Sequence, residues 1–124
     1  SSIIEAGGVQ WMTAGRGLVH AEVSPPAFLE RGGPLEILQL WVNLPARLKM
    51  AAPDYVGVQA AEIPSISENG ATLRLISGGW KGITGPVTSK TGVFMSVVDL
   101  APGGLLQLEG LNGRTMFIYV VSGS

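Results

Sequence analysis

The sequence predicts an all-β protein, a sandwich or barrel built from short strands. Apolar runs of roughly five to eight residues recur about every ten residues, and turns rich in glycine and proline separate them. Glycine accounts for 18 of the 124 residues, which is about twice its usual share. No window of about a dozen residues has the spacing of an amphipathic helix. The length is that of one ordinary domain.

The first half of the chain contains two predicted strands and one predicted helical turn. In 18–23 and again in 38–44, one face of an extended chain would carry only apolar side chains, which is the two-residue period of a strand. Residues 46–50 are predicted to form a turn of helix, because proline, here Pro45, is tolerated at a helix start. The three tryptophans, Trp11, Trp41 and Trp80, are predicted to lie in the core or in an interface.

The second half contains four predicted strands, each followed by glycine, asparagine or proline. These strands are 72–76, 93–100, 105–109 and 115–121. The last one is almost entirely apolar on both faces, which is typical of a buried strand. Residues 45–70 between the two halves contain three prolines and show no clear alternation. Because so long an irregular loop is uncommon inside a compact domain, 45–70 is predicted to be a linker between two β-rich units.

The composition excludes several classes of function. The chain has no cysteine and a single histidine, His20, so cysteine-based zinc sites, disulfides and a thiol nucleophile are ruled out within these residues. The net charge of −1 provides no basic surface for nucleic acid. The apolar runs are far shorter than the roughly 20 residues that cross a bilayer. We therefore expect a cytoplasmic protein that binds neither nucleic acid nor a membrane.

Few residues could carry chemistry, and the most informative are His20 and Glu22. Two residues apart on a strand, they would lie on the same face. An imidazole nitrogen and a carboxylate oxygen so placed can bind one metal ion, which is part of a 2-His-1-carboxylate iron site. An ordinary hydrogen-bonded pair explains the same spacing, so both interpretations remain open.

Four stretches of the chain resemble the pirin family. GVQWMTAGRGLVHAE at 8–22 closely resembles the family signature, and LQLWVNLPARLKM at 38–50 matches the stretch that follows it in pirins. GPV at 85–87 and YVVSG at 119–123 also match. The resemblance implies a cupin fold, a double-stranded β-helix of jelly-roll type. Pirins carry two such barrels.

The resemblance also implies how the chain is organised. Residues 1–44 resemble the second half of the N-terminal pirin barrel, 45–70 correspond to the linker, and 71–124 resemble the first half of the C-terminal barrel. We therefore expect a shortened pirin in which 1–124 form a single cupin-like domain. Its barrel would be a composite within one chain or would exchange strands between two chains.

In pirins an iron ion is held by two histidines of an upstream His-x-His strand and by a histidine and a glutamate of the signature. The resemblance makes His20 and Glu22 the second pair. It places Glu109 and Leu111 where the other barrel carries His-x-His, and Leu111 cannot ligate a metal. His20, Glu22 and Glu109 would bind Fe(II) or another divalent metal more weakly than the family site. The alternative is a hydrogen-bonded pair without metal.

Three functions follow from the resemblance and the composition. The first is a non-catalytic or metal-impaired cupin module that self-associates as a homodimer, because open strand edges invite pairing and charged residues are only 14% of the chain. The second is a metal-dependent dioxygenase of the quercetin 2,3-dioxygenase type, which would take a small aromatic ligand. The third is a protein-binding module similar to a transcriptional co-regulator.

Overall fold

A computed structural model describes residues 2–124, which form short strands, one short helix and two 3₁₀ helices, Ala46–Leu48 and Ala60–Glu62. In chain order the main elements are β1 (Val9–Thr13), α1 (Pro26–Arg31), β2 (Asp54–Val58), β3 (Ser65–Glu68), β4 (Ala71–Ser77), β5 (Gly79–Trp80), β6 (Ile83–Thr84) and β7 (Met95–Leu100). The strands make three small sheets with the orders β1-β2, β3-β4-β7 and β5-β6. All of these strand pairs are antiparallel, and the all-β prediction is confirmed.

Two hairpins owe their geometry to turns with glycine in second place. Asn69-Gly70 joins β3 to β4, and Lys81-Gly82 joins β5 to β6. All four residues have positive φ, at 48° and 73° in the first turn and 48° and 77° in the second. Positive φ at both central residues defines the type I′ turn, whose twist matches that of the paired strands.

The core lies where the β1-β2 sheet meets the end of β4. Val58, Ile63, Ile76 and Val87 form a buried cluster, and partly buried side chains of Val9, Trp11, Val56 and Met95 pack against it. On β4, Leu73 and Leu75 are fully buried. The buried hydroxyl of Ser77 donates a hydrogen bond to the Val93 carbonyl oxygen at 3.0 Å.

Several predicted elements are confirmed. β4 covers the predicted strand 72–76, β7 covers most of 93–100, and a 3₁₀ helix follows Pro45. The stretch 45–70 contains β2 and β3 and is therefore not an irregular loop; its role as a linker between two barrel halves stays a prediction. The short helix α1 was not predicted, although proline at its start is a local signal.

Four predicted strands are wrong: 18–23, 38–44, 105–109 and 115–121 have no strand structure. A strand persists when its backbone groups pair with a neighbouring strand, and within residues 2–124 these stretches have none. Most of their apolar side chains are exposed, with Val19 at 100%, Trp41 at 86% and Ile118 at 79%. Within the described range no helix is both long and apolar enough to cross a bilayer.

Candidate functional site

The loop after β1 leads to the candidate ligand pair and is held by close backbone contact. Gly15 has a φ of +52°, and a β-carbon at this position would lie only 2.0 Å from the Ala51 carbonyl oxygen. The next amide, of Arg16, donates a hydrogen bond to that same oxygen at 3.0 Å. Glycine is therefore required at residue 15 by both its backbone conformation and the space available.

His20 and Glu22 are adjacent in space, as their spacing predicts, although they do not lie on a strand. His20 Nε2 and Glu22 Oε1 are 3.8 Å apart, and the side chains are 47% and 50% exposed. At that distance the two groups attract each other when the imidazole is protonated. Because both are half exposed, solvent screens the pair and its contribution to stability is small.

Glu109 lies in a different part of the molecule. It lines a cleft of about 180 Å³ together with Trp80, Phe94 and Arg114. The Arg114 guanidinium donates a hydrogen bond to the Gly92 carbonyl oxygen across this cleft. The cleft is smaller than the roughly 300–1,000 Å³ of typical ligand pockets. Sequence reasoning did not identify it, because residues from three separate segments line it.

The three predicted metal ligands are not gathered into one site. Across residues 2–124, no three His, Cys, Asp or Glu side chains are close enough to hold a metal ion together. Only His20 and Glu22 are paired. A catalytic mononuclear iron needs at least three protein ligands. The described donor set therefore does not fit the family's iron within one chain.

The tryptophans have three different environments. Trp11 packs against the core cluster, as predicted. Trp41 is 86% exposed, so a core position is wrong for it within this chain. The Lys81 ammonium lies 4.7 Å from the centre of the Trp80 ring, a cation–π contact, and also pairs with Glu68.

Comparison with known proteins agrees with this architecture. A family model described as Pirin matches residues 1–42. The chain is 38% identical to Pirin-1 of Arabidopsis thaliana over 97% of its own length and 42% identical to human Pirin over 94%. It is also similar to the crystal structure of quercetin 2,3-dioxygenase from Acinetobacter baumannii, with a TM-score of 0.64 and 45% identity. That match covers 69% of this chain and 31% of the other.

The antiparallel strands and this structural likeness define the protein as an all-β protein of the cupin type. The chain is similar to members of the pirin family over 94–97% of its own length. It spans about 40% of the length of the curated relatives that it matches.

Proposed function

We propose that this chain is a cytoplasmic, pirin-type cupin module whose main activity is self-association into a homodimer. The observation that carries the proposal is the exposure of two apolar stretches, 38–44 and 115–121, that have the composition of strands but no partner strand within residues 2–124. Open, apolar and uncharged strand-like segments pair readily with another chain.

The accessible surface supports the same proposal. A compact monomer of 12.9 kDa is expected to expose about 6,300 Å², whereas this chain exposes 9501 Å². The excess is about 3,200 Å² per chain. Obligate homodimers bury roughly 2,000–5,000 Å² in total, or about 1,000–2,500 Å² per chain, so one dimer interface accounts for about a third to three quarters of the excess.

Sedimentation equilibrium of the 124-residue protein at tens of micromolar tests the proposal. We expect a species of twice the chain mass, with a smaller accessible surface per chain and protection of the apolar stretches from proteolysis. A folded, strictly monomeric species at this concentration would contradict it.

A metal-dependent dioxygenase is the second candidate, and the structurally similar quercetin 2,3-dioxygenase supports it. Its ligands would be His20 and Glu22 of one chain, together with Glu109. A bound divalent metal would supply the centre at which dioxygen and a small aromatic substrate meet. Because the described residues do not gather these groups within one chain, this function requires a second chain or further ligands.

Metal analysis separates the two candidates. The protein is loaded with Fe²⁺ or Mn²⁺, desalted and measured by elemental analysis beside His20→Ala. The dioxygenase predicts about one equivalent in the parent protein and much less in the variant, together with oxygen uptake on quercetin. Less than a tenth of an equivalent of metal in both proteins would contradict the dioxygenase function. The self-associating cupin module would then be the remaining candidate.

A further inference from the structure

We propose that Asn112 is a site of spontaneous covalent modification, at which the side chain loses ammonia and the residue becomes aspartate or isoaspartate, whereas Asn69 is protected from the same reaction. These are the two asparagines that precede a glycine. Asparagine before glycine is reactive because glycine has no side chain to shield its amide nitrogen. The fold therefore decides which of the two reacts. This inference goes beyond the proposed self-association and does not depend on it.

The reaction needs only solvent water and involves no oxidant or reductant. The amide nitrogen of the glycine loses its proton and attacks the side-chain Cγ of the asparagine. A new C–N bond forms, the bond between Cγ and the side-chain nitrogen breaks, and that nitrogen leaves with a proton as ammonia. The resulting succinimide ring then takes up one water molecule at either of its two carbonyl groups, which gives aspartate or isoaspartate.

The Asn69-Gly70 turn is held by the loop that follows β7. It is the type I′ turn that joins the paired strands β3 and β4. The Leu105 amide donates a hydrogen bond to the Asn69 carbonyl oxygen at 3.0 Å. The Ala101 amide donates one to the Gly70 carbonyl oxygen at 2.8 Å. Both carbonyl groups of the turn are therefore fixed by hydrogen bonds.

The Asn112-Gly113 turn is held only by a hydrogen bond that flanks the reacting peptide. The Arg114 amide donates it to the Leu111 carbonyl oxygen at 3.0 Å. Gly113 has a φ of +73°, whereas the φ of Asn112 is not positive, which is the pattern of a type II turn. Among the described residues, no backbone amide donates to the Asn112 or Gly113 carbonyl oxygen. Asn112 is exposed.

Ring closure rotates the peptide between asparagine and glycine, and the two turns resist this rotation differently. The glycine nitrogen must eclipse Cβ at an asparagine ψ of about −120°, whereas ψ is about +30° in a type I′ turn and about +120° in a type II turn. Both peptides must therefore rotate. At Asn69 the rotation breaks the hydrogen bond from Leu105, so it requires local opening of the hairpin. At Asn112 the rotating carbonyl has no such bond to lose.

The modified turn lies between two charged residues that line the cleft, Glu109 and Arg114. Either product adds a carboxylate at residue 112 and makes the formal net charge of −1 more negative by one unit. Isoaspartate also adds one methylene group to the backbone between these two residues. We therefore expect modification to alter both the charge and the backbone geometry beside the cleft.

Peptide mapping by mass spectrometry, during incubation at mildly alkaline pH, measures both sites in one protein. The two asparagines fall in different tryptic peptides, and each modification raises the peptide mass by one unit. Synthetic peptides of residues 65–73 and 108–116 give the rate of each site without the fold. Protection is the peptide rate divided by the protein rate. We expect protection at Asn69 to exceed that at Asn112 at least tenfold, because Asn69 reacts only through local opening.

Asn43 is an internal control within the same digest. It precedes Leu44, whose side chain shields the amide nitrogen, and its Oδ1 accepts a hydrogen bond from Lys49 Nζ at 2.7 Å. It should remain unmodified. A protection ratio below tenfold between Asn69 and Asn112 would overturn the proposal. So would an unmodified Asn112 after its synthetic peptide has reacted to completion.

A matched pair of variants tests the route of the reaction. Gly113 and Gly110 both have a φ of +73°, and a β-carbon at either meets nothing within 4 Å. Gly113→Ala shields the attacking nitrogen and should slow the modification of Asn112 at least fivefold. Gly110→Ala introduces the same backbone strain and should leave the rate within twofold of the parent protein. Equal rates in the two variants would contradict attack by the amide of residue 113 and overturn the assignment.

Discussion

The strand β4 is less apolar than the 115–121 segment, yet it is more deeply buried. β4 includes the polar residues Thr72 and Arg74, yet Leu73 and Leu75 are fully buried. The 115–121 segment is more apolar, yet Tyr119 is 70% exposed. β4 is the central strand, with β3 on one side and β7 on the other. Burial therefore depends on the partners that the fold supplies and not on the apolar content of the segment alone.

The largest expected effect on stability comes from a substitution in the buried strand β4. Leu73→Ala leaves a cavity between packed strands and should lower the free energy of unfolding by about 2–5 kcal/mol. Leu29→Ala, the same substitution at a side chain that is 71% exposed on α1, should change it by less than about 0.5 kcal/mol. Urea denaturation followed by far-UV circular dichroism measures both, and equal losses would contradict the assigned core.

A second prediction concerns the loop before the candidate ligands. Gly15→Ala introduces backbone strain, which should cost about 1–3 kcal/mol, and adds a close contact with the Ala51 carbonyl oxygen. Gly92→Ala is the control, because its φ of +66° is close to that of Gly15, but a β-carbon there meets nothing within 4 Å. If the two variants unfold at the same urea concentration, backbone strain alone explains the cost and the close contact contributes nothing.

A smaller effect is expected for the buried hydroxyl of β4. Ser77→Ala removes the hydrogen bond to the Val93 carbonyl oxygen and should cost about 1–2 kcal/mol. Ser67→Ala removes the exposed hydrogen bond between Ser67 and Thr72, whose hydroxyl oxygens are 2.9 Å apart, and should cost less. Thermal unfolding of the two variants side by side distinguishes them; a larger loss for Ser67→Ala would be contrary to this account.

The smallest effect is expected at the candidate ligand pair. His20→Ala should change the free energy of unfolding by less than about 0.5 kcal/mol, since the pair with Glu22 is half exposed and screened. Glu22→Gln serves as a matched variant that removes the charge but keeps the side-chain length. If either variant, measured without metal, loses more than about 1 kcal/mol of unfolding free energy, the pair has a structural role.

The sequence allowed prediction of elements that depend on local signals. β4 and β7 follow from their apolar patterns, and the 3₁₀ helix from Pro45. His20 and Glu22 are close together, although the strand from which the sequence predicted this is absent. The pairing of β1 with β2, in contrast, joins segments about 45 residues apart, and no local pattern encodes it.

The same distinction explains the errors. A local apolar pattern predicted strands at 18–23, 38–44, 105–109 and 115–121, but such a pattern carries no information about whether a partner strand is present. The separation of Glu109 from His20 is likewise a matter of long-range topology. Predicting it would have required the sheet order and not only the residue types.

The long separation between β1 and β2 also affects the order of folding. At translation rates of about 5–20 residues per second, β1 is made roughly two to nine seconds before β2. The β3-β4 hairpin, closed by Asn69-Gly70, has its two strands adjacent in sequence and pays a much smaller loop-closure cost. We expect the hairpin to form early and β1 to join late, so that the loop carrying Gly15 and Arg16 is ordered only when Ala51 is already in place.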